Sequence, residues 1–504
     1  MSGNWQCQLR LPLEGMESAI TAAQVSTPAG YRGLYAFHKY WGKKPFEPVA
    51  FLIENLTNAG EVVLDPFVGS GVVVREASRL GRRFVGIDLN PIAIEISELL
   101  VSPPDVRTVV EGLAEIERHV RQEIEESYKR DGASDVATHY LWENQILRQV
   151  WIVRKGRRVY EPTERDFWQF RKYEGYQSRH IRPPRFFTNS RINTFPDLTL
   201  NDLFTGRALR NMDLLLDAIG NLPLSVQPVF RLCLTAACGQ MSNMVFAITG
   251  RGKMVGSPSN SGSKVEVGSW VIGYWRPALH FEINVWDCFV RRVRKLIKAL
   301  RESDALVLRS LSNCPDVLCG RATGALYCGD ALETLRGFPA NSVDLILSDP
   351  PHSDRVPYLE LNELWNAIWG YTVDFQKEIV VSNAKERSKG LSEYTGAMKE
   401  FLTLAGRIVK AGHFLVLLFN ARDSLSWEYL HVFLRESIDG RLEYKGHFPL
   451  PYSARSVVQD SREGSLKHDF ALVFQKPGSG SLHTDRVCKL QYLEGWSNAL
   501  PKER

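Results

Sequence analysis

None of the eight cysteines (Cys7, Cys233, Cys238, Cys288, Cys314, Cys319, Cys328 and Cys488) forms a C-x-x-C pair, and no Cys/His ligand spacing recurs. That disfavours a structural zinc site and leads us to expect no bound metal. The thiols read as small apolar fillers in a reducing compartment. Long apolar runs are also missing: nothing approaches the roughly 18 consecutive residues of a membrane span. The amino terminus carries early acidic residues and no apolar signal core, so a cytoplasmic protein without a membrane partner is expected. A large excess of one charge sign is missing as well. A formal net charge of +5 says little about partners, so local clustering has to carry that argument.

What is present is a chain of 504 residues, 44% hydrophobic, long enough for two or three domains with a sizeable core. From Pro45 the pattern is regular. PFEPVAFLIENLT predicts a helix ending near Asn58-Ala59-Gly60. VVLD (62–65) is a short apolar run stopping at an acid, as a buried parallel strand does. A Gly-rich turn follows, then a helix over 72–80 closed by Gly81, a second strand RFVGID (83–88), and a helix opening at Asn90-Pro91. Strand, turn, helix, strand, helix is the rhythm of a doubly wound α/β sheet. It resumes at ALYCGDALETLRGF (325–338), with further strands at VDLILSD (343–349) and HDFALVFQK (468–476). Between the two halves lies a different composition: charged, then aromatic and basic, then helical, then a polar Gly/Ser-rich stretch at 250–269 that reads as a mobile loop. The expected layout is an arm and cofactor-binding half over 1–104, a mainly helical insertion over 105–320, a catalytic half over 321–476 and a tail over 477–504.

Asp65-Pro66-Phe67-Val68-Gly69-Ser70-Gly71 falls where the first strand meets the first helix. Glycines there permit a tight turn and close backbone approach to a ligand. The run is neither G-x-G-x-x-G nor a phosphate loop ending in G-K-[ST]. Asp88, at the end of the next strand, is placed to accept the hydroxyls of an adenosine ribose, or to cap the helix at Asn90-Pro91. NAD and S-adenosylmethionine both suit that geometry.

Ser348-Asp349-Pro350-Pro351-His352 follows a buried strand. The Pro-Pro pair stiffens an extended turn and sets the Asp349 carboxylate and the Pro350 carbonyl at the edge where α/β ligands bind. An exocyclic amino group is a poor nucleophile because its lone pair is delocalised into the ring. Two acceptors, each taking one N–H, favour a pyramidal nitrogen whose lone pair faces an electrophilic methyl. No covalent intermediate is needed. A flipped base also wants a flat partner, for which His352 is the first candidate and Tyr358, in SDRVPYLELNELWNAIWG (353–370), the second.

These stretches resemble the amino-methyltransferases of DNA, the N6-adenine and N4-cytosine type. LDPFVGSGVVVREASRLGRRFVGIDLNPIA looks like the family's cofactor motif, GDALETLRGFPANSVDLILSDPPH like the run into its catalytic tetrapeptide, usually [DNS]-P-P-[YFW], and HKYWGKKP (38–45) like the motif at the methionine end of the cofactor. The resemblance covers about residues 35–100 and 320–476. It implies a Rossmann-like methyltransferase sheet and S-adenosyl-L-methionine as cofactor. By the same match, Asp65, Pro66, Phe67, Gly69, Ser70 and Gly71 line that cofactor, Asp88 holds its ribose, Asp330 lies near its adenine, and Lys44 and Pro45 lie near its methionine end. Asp349, Pro350, Pro351 and His352 become the catalytic turn. His352 departs from the aromatic usual at that position. Aspartate at 349 leans towards adenine N6.

A basic-aromatic segment lies within the insertion, with Arg154, Lys155, Arg157 and Arg158 in one cluster and Arg171, Lys172, Arg182 and Arg185 in a looser one. Such charges neutralise phosphates and interleaved aromatics stack or wedge; a solvated basic face is the plainer alternative. The basic helix 285–301 is a second candidate. Double-stranded DNA is the expected substrate, in a restriction–modification or defence setting with a cognate subunit. Cytosine N4, RNA, and an inactive cofactor- and nucleic-acid-binding subunit stand as alternatives. Cytosine-C5 chemistry is disfavoured because no Pro-Cys dipeptide occurs.

Overall fold

The computed structural model describes residues 31–130, 135–154, 156–249, 265–270, 272–303, 310–421, 424–436, 442–451, 468–478, 490 and 496–498. The leading arm before residue 31, Lys155, most of the Gly/Ser-rich stretch and most of the tail lie outside the described residues. The strands, in chain order, begin with β1 (Val62–Asp65) and β2 (Arg83–Asp88). Within the insertion come β3 (His139–Glu143), β4 (Ile146–Ile152), β5 (Arg158–Tyr160), β6 (Val245–Ile248), β7 (Glu266–Val267) and β8 (Leu279–Ile283). After it come β9 (Gly324–Cys328), β10 (Val343–Ser348), β11 (Val409–Phe419), β12 (Glu443–Pro451) and β13 (His468–Gln475).

β12-β13-β11-β10-β1-β2-β9 form one seven-stranded sheet. β9, β2, β1, β10 and β11 run parallel, and β13 and β12 close one edge antiparallel. The continuous apolar runs of β1 and β10 are buried along their whole length, as strands covered on both faces must be. Their alternation assigns Val63 and Leu345 to one core, shared with the helices Phe46–Leu56 and Val72–Arg79. Leu64 and Ile346 face the other core, shared with the helix Leu391–Ile408. The α/β reading of the two halves therefore holds. A clasp ties the far ends of the central strands: Asp344 accepts from the Val62 amide at 2.9 Å and pairs with Lys410 at 2.8 Å and His413 at 3.2 Å. The Lys410 ammonium and the His413 ring both meet the same oxygen, Asp344 Oδ1.

The insertion contains long helices, Val106–Glu126, Gly206–Gly220, Gln227–Met241 and Val285–Arg301, but not only helices. A second, six-stranded sheet, β5-β4-β3-β8-β6-β7, is antiparallel throughout. The expectation of a mainly helical insertion missed this sheet. Its signal is the hairpin at Asn144-Gln145, whose φ values of 45° and 70° are those a tight two-residue turn demands. At its centre Arg207 and Glu282, both fully buried, pair at 2.9 Å, with Tyr140 and Tyr128 rings 4.2 and 4.6 Å from the guanidinium. One core then runs from these elements into Ile92 and Ile96 of the helix Pro91–Val101 and Leu361, Leu364 and Trp365 of the helix Tyr358–Trp369. The insertion is thus packed onto both halves of the main sheet.

Candidate cofactor and catalytic site

The C-terminal ends of β1, β2 and β10 open into one cleft lined by Asp65, Gly69, Asp88, Lys44, Asp349 and Tyr358. Two stretches far apart in sequence meet there directly: the Ser348 hydroxyl donates to Asp65 Oδ1 at 2.9 Å. Asp65 also accepts from the Phe67 amide at 3.1 Å, which folds the turn back over the strand end. Burial, against these two hydrogen bonds, pushes the Asp65 carboxyl up to about 8.

Asp88 takes one backbone amide on each oxygen, Gly69 at 2.8 Å and Asn90 at 2.8 Å. It thereby locks the Gly-rich turn to the second strand while each oxygen keeps a lone pair. Burial raises it to about 6, with the two amides opposing. Gly69 has φ 50° and Gly71 φ 78°, so a side chain at either would be strained. A Cβ on Gly71 would lie 2.8 Å from Ser97 Oγ, so this glycine also lets the Val72–Arg79 and Pro91–Val101 helices approach. The donor set fits an adenosyl group: a bare backbone turn, and a half-buried carboxylate free to accept two vicinal hydroxyls. Pro66, Phe67 and Ser70 line the same cleft. Pro45 is buried behind it as the residue before the helix Phe46–Leu56. Asp330 stands to one side. It caps the helix Ala331–Arg336 by accepting from the Glu333 amide at 3.0 Å, and its neighbour Ala331 is the residue that lines the cleft.

Asp349 is clamped from two sides. Lys44 Nζ lies 2.8 Å from Asp349 Oδ2 and 2.8 Å from Asp469 Oδ2. Burial works against the Lys44 charge, but the two carboxylates more than offset it and its pKa is raised. His352 Nε2 lies 3.0 Å from Asp349 Oδ1 and 3.0 Å from the Leu418 carbonyl. Arg355 reaches His352 Nδ1 at 3.0 Å and Asp469 at 3.2 Å. A guanidinium only donates, so Nδ1 is the acceptor and Nε2 carries the hydrogen. The His352 ring is 6% exposed and meets Phe419 edge-on. This corrects the idea of His352 as a stacking platform: it lies beneath the turn and fixes the carboxylate. Pro350 is buried and Pro351 half-buried, its carbonyl held by the Tyr394 hydroxyl at 2.8 Å. Tyr358 is half-buried in the cleft, 6.2 Å from the Tyr40 ring at an angle of 22°. A Cβ on Gly42 would come 2.9 Å from its hydroxyl oxygen.

Asp469 and Arg355 escaped sequence reasoning because neither sits in a motif; Asp469 lies at the start of β13, between β12 and β11. Glu378 is a third such residue, buried at the cleft wall and paired with Arg387 at 2.7 Å.

The basic-aromatic segment is distributed differently from the expectation. Arg154 bridges Glu125 and Asp287 at 2.9 and 3.1 Å, and Arg158 pairs with Asp135 at 2.9 Å. Arg157 donates to the Val265 carbonyl at 2.8 Å and covers the Trp151 ring. Arg182 grips the fully buried Glu363 with both terminal nitrogens, at 2.6 and 3.1 Å, and donates to the Tyr371 carbonyl at 2.6 Å. It is a strut from the insertion to the helix Tyr358–Trp369 that follows the Asp349–His352 turn. Arg171, Lys172 and Arg185 keep exposed side chains, Lys172 over Trp168 and Tyr173 and Arg185 over Phe187.

Residues 19–99 match the family model described as DNA methylase, of the N6/N4 type. Among curated proteins, the chain is similar to Type II methyltransferase M2.DpnII of Streptococcus pneumoniae, 43% identical over 63 residues, 12% of this chain and 24% of that protein. It is similar to Type II methyltransferase M2.LlaDCHI of Lactococcus lactis subsp. cremoris, 38% identical over 64 residues, covering 12% and 24% of the two chains. A third relative is Type II methyltransferase M.MjaII of Methanocaldococcus jannaschii, 28% identical over 74 residues, covering 15% and 14%. The matched stretch spans a quarter or less of each relative's length.

Proposed function

We propose, for a chain that carries the N6/N4 amino-methyltransferase domain over residues 19–99 and whose family takes its methyl from S-adenosylmethionine, that this protein methylates the exocyclic amino group of a base in double-stranded DNA, with adenine N6 the favoured target. The observation that carries the reading is the meeting of Gly69, Asp88 and Asp349 in one cleft.

Asp88 and the Gly69–Gly71 turn hold the adenosyl part, and Lys44 borders its methionine end. When bound, the cofactor supplies an electrophilic methyl on a sulfonium sulfur. Asp349 and the Pro350 carbonyl each accept one N–H of the amino group, turning the nitrogen lone pair towards that methyl. The Lys44 and His352 contacts hold the Asp349 carboxylate in one orientation, so little reorganisation accompanies the reaction. Asp349 also receives the proton the nitrogen loses. Tyr358 offers the flat surface for a flipped base. Exposed Arg171, Lys172 and Arg185 meet backbone phosphates.

The test is incubation with labelled cofactor and duplex DNA, and in parallel with RNA, followed by digestion to nucleosides. N6-methyladenine is expected. N4-methylcytosine would move the target to cytosine, label in RNA would move the substrate, and binding of both ligands without transfer would make this a non-catalytic subunit.

A further inference from the structure

A second pocket lies on the other side of the segment 38–44 that walls the cleft. It is lined by Tyr35, Lys39, Lys43, Thr235, Trp270 and Arg292, among others, and no carboxylate stands among the described residues lining it. Lys43 Nζ donates to the carbonyls of Tyr35 at 2.8 Å and His38 at 2.5 Å. Arg292 donates to the Phe37 carbonyl at 2.9 Å. Carbonyl oxygens carry only partial charge. Cations gathered this way out of water are costly unless an anion joins them.

The electrostatics agree. Burial first, then the Lys295 charge, pulls the Lys43 amine down to about 7. Burial also lowers Arg292. His38, pushed down to about 3 by burial, is neutral and adds no further positive charge, and its Nε2 is 2.9 Å from the Thr235 hydroxyl. At the rim, the Gln240 amide donates to the Ser269 hydroxyl at 3.0 Å.

We infer that this pocket binds a phosphate group through Lys43 and Arg292, at the seam between the cofactor half and the insertion helices Gln227–Met241 and Val285–Arg301. A planar guanidinium and an ammonium on one wall suit the tetrahedral anion. The phosphate comes from a DNA backbone or from a free nucleotide. The DNA source rests on the proposed function; the phosphate site itself does not.

The experiment uses the full chain. Thermal unfolding is followed in inorganic phosphate and in chloride at equal ionic strength. Phosphate is expected to raise the midpoint by several degrees over chloride. Lys43→Gln and Arg292→Gln should lose that difference. If either fails to fold, Lys295→Glu, on an exposed helix position, supplies an internal anion and should abolish the phosphate effect while the protein stays folded. An equal midpoint in the two salts for the wild type overturns the site. A full phosphate effect in a folded Arg292→Gln does the same. The source is then read from duplex DNA binding against salt. A log–log slope lowered by about one in Arg292→Gln identifies a backbone phosphate. An unchanged slope, with a mononucleotide protecting wild type and not the variant, identifies a free nucleotide. A persistent phosphate effect in a protein that methylates no DNA leaves this site standing and removes the DNA reading alone.

Discussion

Lys44 and Asp349 lie 2.8 Å apart, one before the helix Phe46–Leu56 and the other after the fourth parallel strand laid down in the sequence. The same ammonium touches Asp469, which is 1% exposed. Lys44→Met removes one of the cations that neutralise this buried carboxylate. It should destabilise the protein by about 3–5 kcal/mol, the cost of breaking a buried pair. The pH dependence has a definite sign. Burial alone would raise Asp469, but the Lys44 and Arg355 charges outweigh it and the pKa is lowered. Its contribution is therefore complete above the ordinary carboxylate range and is lost as pH falls through and below it. Urea unfolding at neutral and acidic pH should find the gap between wild type and Lys44→Met narrowing in acid.

Asp349→Asn keeps the shape of the turn and loses a charged acceptor. Methyl transfer should fall by about 100-fold or more, the typical effect of removing one preorganised transition-state partner. Cofactor affinity measured by calorimetry should change little. A variant with undiminished turnover would remove Asp349 from the reaction.

His352→Phe tests whether the ring acts by its nitrogens or by its flatness. The buried position implies nitrogens. Losing them leaves the Leu418 carbonyl and one side of Asp349 without a donor, at a cost of about 1–3 kcal/mol. Turnover should drop with KM for DNA nearly unchanged. Improved turnover would mean the ring had been serving as a poor aromatic platform.

Asp88 is raised to about 6 and Asp65 to about 8, both by burial first. Carboxyls raised in this way contribute stability that is fully present below their unfolded value and lost as pH rises through about 6 and about 8. Cofactor affinity should move oppositely, because the ionised carboxylate is the better acceptor for hydroxyls. Binding titrations should strengthen as pH rises through about 6, and Asp88→Asn should bind more weakly with a flat profile.

Arg182 and Arg171 separate two roles for basic side chains. Arg182→Ala strands a buried Glu363 and should cost about 3–5 kcal/mol, lowering the unfolding midpoint while the salt dependence of DNA binding stays as in wild type. Arg171→Ala should leave stability alone and reduce that salt slope by about one.

Much of this was written in local sequence. VVLD, RFVGID and VDLIL are short apolar runs bounded by acids and turns, and each became a parallel strand because both faces are covered. The Gly-rich turn and the D-P-P turn were legible for a similar reason: their backbone demands narrow the residues that can serve. The pairing of charges was not. Nothing around Asp469 in HDFALVFQ foretells that it meets Lys44, since the contact depends on β13 returning antiparallel beside β11. The Arg clusters misled in the same way. A run of basic residues looks alike whether the guanidiniums face solvent, as Arg171 does, or turn inward to a buried acid, as Arg182 does. The insertion's sheet was hidden by aromatic content, which suits a strand face as well as a nucleic-acid surface.

The central place of β1, hydrogen-bonded to β2 on one side and β10 on the other, has a consequence for biogenesis. As the polypeptide leaves the ribosome, β1 waits for its second neighbour until the entire insertion has been translated. During that interval an apolar strand edge stands open to other nascent chains. The insertion shares its core with the helix Pro91–Val101, so its early folding would shield part of the unfinished half. Synthesis rate and chaperone supply should therefore govern the yield of folded protein more than final stability does.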